Sequence, residues 1–227
     1  MKVANMTINS INYGNRLQNY AVNKILKTIS NSVQNIIIQD YSHFTNKRCI
    51  KLLIKKHLPK KIVEILCFNN ENKLMEFKKS VFFDLYTNKL MNNKCVVLYP
   101  HATKIELSKI DYFFVGSDQV WNPDFAGQDY YFLNFVEPRK RIAFAASIGY
   151  TELPDDVLKR YTEHWKQMRY ISVREESAAD IIEKATGKRP DVFLDPTLLL
   201  TREEWDEVAK QPKCNLPKKY ISVRFCW

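Results

Sequence analysis

A chain of 227 residues that is 45% hydrophobic and 26% charged is long enough to bury a full core and has the composition of an ordinary globular protein. No run approaches the roughly 18 apolar residues of a membrane-spanning helix, and residues 1–8 are too short and too polar for a secretory signal, so the sequence reads as cytoplasmic. Five cysteines, odd in number and widely spaced, argue against a disulfide framework or a structural zinc site. Four histidines without ligand spacing predict no metal.

The net charge of +10 is unevenly spread. Seven basic residues (Lys47, Arg48, Lys51, Lys55, Lys56, Lys60 and Lys61) fall together with no acid among them, while Ile50, Leu53, Ile54 and Leu58 recur at helical spacing. This pattern predicts a basic amphipathic helix. Its readings are a solvated face packed on the core, a contact with anionic lipid, or a nucleic-acid patch. The last is disfavoured, because no nucleic-acid motif accompanies the charge.

Along the chain, strand and helix signals alternate. Residues 3–8 read as a strand and 9–12 as a polar loop. Residues 16–29 read as a helix with Leu17, Ala21, Ile25 and Ile29 on one face. The β-branched stretch 33–38 is a second strand, and 47–83 is helical in pattern with breaks near Pro59 and Asn69–Asn70. Strands follow at 112–115, 141–146, 170–173, 192–194 and 220–225. Helices are predicted at 155–168, with Pro154 suited to its first turn, and at 202–210, with Thr201 and Glu204 at capping-box spacing. Strands separated by helices of this length imply βαβ units and an α/β, doubly wound, mainly parallel sheet. The two prolines within 211–217 mark a linker, after which only ten residues remain.

Five polar clusters follow predicted strands. They are Asn12-Tyr13-Gly14-Asn15-Arg16-Leu17-Gln18, Gly116-Ser117-Asp118-Gln119-Val120-Trp121-Asn122, Ala145-Ala146-Ser147-Ile148-Gly149, Ser172-Val173-Arg174-Glu175 and Leu194-Asp195-Pro196-Thr197. Each has a structural explanation: Asn12 and Ser117 suit helix caps, and Arg174 and Glu175 suit ordinary ion pairs. The first is neither a dinucleotide fingerprint nor a P-loop. Together they converge, because a parallel sheet sends all strand C-termini to one crevice. A guanidinium there suits phosphate or carboxylate. Asp118 or Asp195 suits a sugar hydroxyl or general-base work, and Tyr13 and Trp121 suit stacking on a sugar ring.

In content, order and spacing these blocks, extended to Asn19-Tyr20-Ala21 and Leu198-Leu199, resemble the polysaccharide pyruvyl transferase family over residues 3–223. The resemblance implies a Rossmann-like domain, one half of a two-domain, glycosyltransferase-like architecture. Residues 1–210 would form that domain, with a helical basic insertion at about 45–92, and 211–227 the linker and start of a second domain. It implies transfer of a pyruvyl group from phosphoenolpyruvate, as co-substrate with no cofactor, to a hydroxyl pair on a cell-surface polysaccharide or its lipid-linked precursor. Asp118 and Arg174 are then the catalytic candidates, with Arg174 clamping the donor anion. Asn12, Tyr13, Gly14, Asn15, Arg16, Gln18, Gly116, Ser117, Gln119, Trp121, Asn122, Ser147, Gly149, Glu175 and Asp195 are the substrate-binding candidates. The family's second half is not matched before Trp227, so the expectation is that this chain does not complete catalysis unaided. Rival readings are a sugar-nucleotide-dependent glycosyltransferase and a non-catalytic glycan-binding domain. A peripheral membrane contact through 47–61 is expected, and no nucleic-acid partner.

Overall fold

The computed structural model describes residues 1–8, 12–40, 94–99, 107–124, 128–210 and Pro217. The expected basic helix at 47–61, the whole insertion at about 45–92, the linker at 211–216 and the strand at 220–225 lie outside these residues.

Among the described residues seven parallel strands form one sheet: β1 (Lys2–Met6), β2 (Ser32–Asp40), β3 (Lys94–Tyr99), β4 (Tyr112–Val115), β5 (Arg141–Ala146), β6 (Tyr170–Val173) and β7 (Asp191–Val192). Their spatial order is β3-β2-β1-β4-β5-β6-β7. Chain order therefore reverses between β1 and β4, and loops leaving the two strands diverge to open a crevice at their C-terminal ends. The α/β doubly wound expectation holds. No described helix is long and apolar enough to cross a membrane.

Strand alternation sorts the core onto two faces. Val3 and Val33 meet Val22 and Leu26 of α1 (Tyr13–Ile29) on one side of the sheet. Ala4, Met6, Phe113, Val115 and Ala143 face the other side, which is covered by α2 (Asp155–Trp165) and α3 (Glu176–Thr186). Helix α3 and strand β3 are absent from the sequence reading. Ala178, Ala179, Ile181 and Ile182 form the buried stripe of α3, and Gly187 ends it at φ +76, a left-handed C-cap. Helix α4 (Arg202–Asp206) begins with the expected capping box, Thr201 Oγ1 accepting from the Glu204 amide and Glu204 from the Thr201 amide.

Helix α1 corrects the expected apolar face. Leu17 and Ile29 are exposed, and the inward stripe carries Asn19 and Asn23 beside Val22 and Leu26. Amides are tolerated there because they find partners. Asn23 Nδ2 donates to the Asn19 carbonyl at 2.8 Å and to Asn35 Oδ1 on β2 at 2.7 Å. This rotation turns Leu17 and Gln18 toward the crevice.

Candidate active site

The five polar clusters all lie at or just beyond strand C-termini, as the parallel sheet requires. The cluster after β1 starts α1: Asn12 Oδ1 accepts from the Gly14 amide at 2.7 Å and caps the helix. One turn along, Asn15 Nδ2 donates to Asp118 in the loop after β4. Three residues further, Gln18 Nε2 donates to Asp195 Oδ2, beyond β7, at 2.5 Å. The i, i+3 spacing of Asn15 and Gln18 lets one helix face hold two carboxylates from opposite walls.

The loop after β4 is built tightly. Gly116 adopts φ +118, and a Cβ there would meet the Phe144 carbonyl oxygen at 2.3 Å, so β4 and β5 approach as only glycine allows. Beside it β5 carries a bulge: Ala145 sits at φ 47, its amide donating to Ser172 Oγ at 3.0 Å, and Ser172 Oγ donates to the Ala143 carbonyl. The bulge delivers Ser147, whose amide donates to the Asp118 carbonyl at 3.1 Å and whose carbonyl accepts from the Trp121 amide. Glu175 Oε1 accepts from the Ile148 and Gly149 amides at 2.9 and 3.3 Å. Gly149, at φ +73, packs against the side chains of Gln119 and Asn122.

These contacts separate scaffold from cleft. Ser117, Asn122 and Ser147 are buried, Arg16 is buried on α1, and Glu175 ties down a backbone loop. None of the five lines the cleft. Trp121 corrects the expected sugar-stacking role outright. It has no exposed surface, its ring stacks on Phe132 at 5.5 Å and meets Trp165 edge-on, and its Nε1 donates to the Tyr131 carbonyl at 3.2 Å. It is a core residue that anchors the loop.

The cleft itself encloses about 450 Å³. Asn12, Gly14, Asn15, Leu17 and Gln18 form one wall, Asp118 faces them, and Thr197 and Trp205 close the far end. Tyr13 stands exposed at the start of α1. Leu17, Thr197 and Trp205 are absent from the sequence-based candidates. Leu17 and Thr197 lie inside two of the quoted clusters; the signal for Trp205 was the capping box at Thr201–Glu204, which starts a helix six residues after Asp195.

Behind the far end sits a guanidinium. Arg174 Nη1 donates to Asp195 Oδ2 at 2.7 Å, and its Nε lies 3.8 Å from Glu175 Oε2. Its Nη2 has no partner among the described residues. Asp195 Oδ1 accepts from the Thr197 amide and hydroxyl at 2.9 and 2.7 Å, capping the turn Pro196–Leu198. Asp195 and Glu175 flank the cation, Asp118 lies within its electrostatic reach, and the surroundings of the two aspartates push their proton affinities apart. Burial raises Asp118 above the ordinary carboxyl value and the Asp195 charge adds to the rise, against the Gln119 amide and Arg174, which pull it back. Burial would raise Asp195 too, but its bonds from Thr197, Arg174 and Gln18 outweigh burial and hold it below the ordinary value.

A carboxyl with raised proton affinity, one with lowered proton affinity and a guanidinium lie together beside a switch-point cleft, an arrangement that suits group-transfer chemistry. The family model for polysaccharide pyruvyl transferase matches residues 12–226, nearly the whole chain. The chain belongs to that family. No curated protein and no solved structure matches it. The polysaccharide pyruvyl transferases are transferases, so the cleft is the candidate site of an enzyme that acts on polysaccharide. Among the described residues no three His, Cys, Asp or Glu side chains cluster as a metal site.

Proposed function

We propose that this pyruvyl transferase moves the enolpyruvyl unit of phosphoenolpyruvate onto a hydroxyl pair of a sugar in a cell-surface polysaccharide or its lipid-linked precursor. The observation that carries the reading is the opposed pair Asp118 and Asp195 around Arg174 at the cleft. Arg174, fixed through Nη1, offers Nη2 to the donor's phosphate or carboxylate. Asp118, with its proton affinity raised, delivers a proton to the donor's methylene carbon, and positive charge develops at the carbon that bears the phosphate oxygen. One sugar oxygen bonds that carbon and its proton returns to Asp118. The second sugar oxygen then displaces phosphate, which leaves with the second hydroxyl's proton. The product is a pyruvate ketal. Gln119, beside Asp118, and Asn15, donating to it, orient the acceptor hydroxyls.

The test is thermal-shift titration of the chain with phosphoenolpyruvate and, separately, with nucleotide sugars, followed by phosphate release in the presence of a polysaccharide acceptor. Stabilisation by phosphoenolpyruvate and a new ketal methyl signal by proton NMR are expected. Stabilisation by nucleotide sugars alone transfers the protein to the glycosyltransferase reading.

The reading extends to location. The basic run from Lys47 to Lys61 suits attachment at the anionic inner face of the membrane, where a lipid-linked acceptor is presented. Co-sedimentation with anionic liposomes that falls when those lysines become glutamine supports it. Unchanged sedimentation ends it.

A further inference from the structure

With Trp121 sealed in the core, the aromatic surface of the cleft comes from elsewhere. Trp205 stands in α4, one turn past the cap residue Thr201, and lines the cleft together with Leu17 and Asp118. Two contacts set its plane. Its Nε1 donates to the Thr197 carbonyl at 3.2 Å, and its ring meets Tyr20 at 5.6 Å between centroids with a 44° tilt. The same Thr197 holds Asp195 through its amide and hydroxyl. The indole and the carboxylate that fixes Arg174 are therefore referred to one backbone turn. Helix α4 is in turn tied to α1, for Lys24 pairs with Glu207 at 2.6 Å and Tyr20 hydroxyl donates to the Glu204 carbonyl at 3.3 Å.

A tryptophan whose only polar atom is already satisfied can offer a ligand nothing but its π-face and edge. Half-buried and aligned by two anchors, it presents that surface at little entropic cost. The rest of the wall consists of amides, a carboxylate and the Leu17 side chain. An apolar platform facing hydrogen-bonding groups across a cleft fits a molecule with one C–H face and a hydroxylated edge, which describes a pyranose ring.

We propose that Trp205 is the stacking platform of the acceptor subsite, holding a pyranose by its C–H face while Asn15 and Asp118 meet its hydroxyl edge. This rests on the acceptor being a sugar, as in the proposed function, yet makes its own demand, because it concerns a residue outside the donor clamp. Trp205 is a specificity residue for the acceptor and touches no part of the donor.

The experiment uses the full chain and two probes, methyl β-D-galactopyranoside and methyl β-D-glucopyranoside, with saturation-transfer NMR reporting which ring protons meet the protein. Saturation is expected on one C–H face of a pyranoside. Trp205→Phe should retain binding, and Trp205→Leu, which keeps an apolar side chain but removes the π-face, should weaken it about tenfold. Both variants lose the Thr197 bond and both keep an apolar anchor, so a purely structural role predicts equal behaviour. Equal binding by the two variants, or no pyranoside binding by the unaltered chain, overturns the proposal. Phosphoenolpyruvate stabilisation of the same samples is read in parallel. Its absence with pyranoside binding intact rejects the donor assignment alone, and its persistence in Trp205→Leu is expected.

Discussion

The loop after β4 and the segment running from the turn after β7 into α4 both border the cleft, and each carries one aspartate and one tryptophan. Their duties are reversed. In the first loop the tryptophan is core, stacked on Phe132, and burial raises the proton affinity of the aspartate. In the second, Asp195 accepts from Thr197, Arg174 and Gln18, which hold its proton affinity below the ordinary value, while Trp205 lines the cavity. Residue type therefore does not assign the role. The number of donors around a carboxylate, and what packs against an indole, do.

The sharpest way to break this contrast is to neutralise each aspartate in turn. Asp118→Asn should lower phosphate release from phosphoenolpyruvate by roughly 10²–10⁴-fold, the range for lost acid–base catalysis. Its effect on stability should have the opposite sign. The Asp118 carboxyl holds its proton more tightly folded than unfolded. Folding is therefore favoured below the ordinary value of 3.8, and this advantage is lost as pH rises through the folded value. At neutral pH Asp118→Asn should raise the melting temperature, with the gain vanishing below pH 3.8. A variant that is inactive and also less stable at neutral pH would show that Asp118 is structural.

Trp121→Ala should cost about 3–5 kcal/mol of stability in chemical denaturation, as an unfilled core site does. It should leave pyranoside saturation transfer by the remaining folded protein in place. Loss of pyranoside contact at unchanged stability would return Trp121 to the ligand surface.

Asp195→Asn removes the charge that fixes Arg174, and a charged hydrogen bond contributes about 1.5–3 kcal/mol. Phosphoenolpyruvate affinity should fall roughly tenfold or more by the same scale. The sign of its pH dependence is the reverse of that for Asp118. Stabilisation by Asp195 is present above 3.8 and lost as pH falls through its lower folded value. The stability difference between the unaltered chain and Asp195→Asn should therefore shrink only in acid.

The smallest effect tests the donors themselves. Thr197→Val removes one of the two Thr197 bonds to Asp195 and should lower stability by about 1 kcal/mol. It should also move the acid limb of the stability profile upward. An unmoved acid limb would place the control of Asp195 in Arg174 and Gln18 alone.

Much of this was legible before folding. Strands at 112–115, 141–146 and 170–173 agree with β4, β5 and β6 because short β-branched and aromatic runs have one compact solution. The Thr201–Glu204 cap was readable because it depends on side chains three residues apart. Helix α3 escaped because its stripe is built largely of alanine, and the inner face of α1 was misplaced because buried amides defeat an apolar periodicity. Asn19 and Asn23 are acceptable inside only because Asn35, on another strand, is there to bond.

The sequence by itself determined the alternating α/β order, the positions of the five polar clusters at strand ends and the family to which they belong. These are local or linear properties, carried by propensity, capping and motif spacing. Only the tertiary structure decided which members of those clusters face the cleft. The reversal of strand order between β1 and β4 sets Asn15 against Asp118, and the twist of α1 brings Gln18 to Asp195. Contacts across 103 and 177 residues of chain distinguish one aspartate from the other, and packing on Phe132 and Trp165 distinguishes Trp121 from Trp205, because burial and donor count belong to the folded surroundings of a side chain.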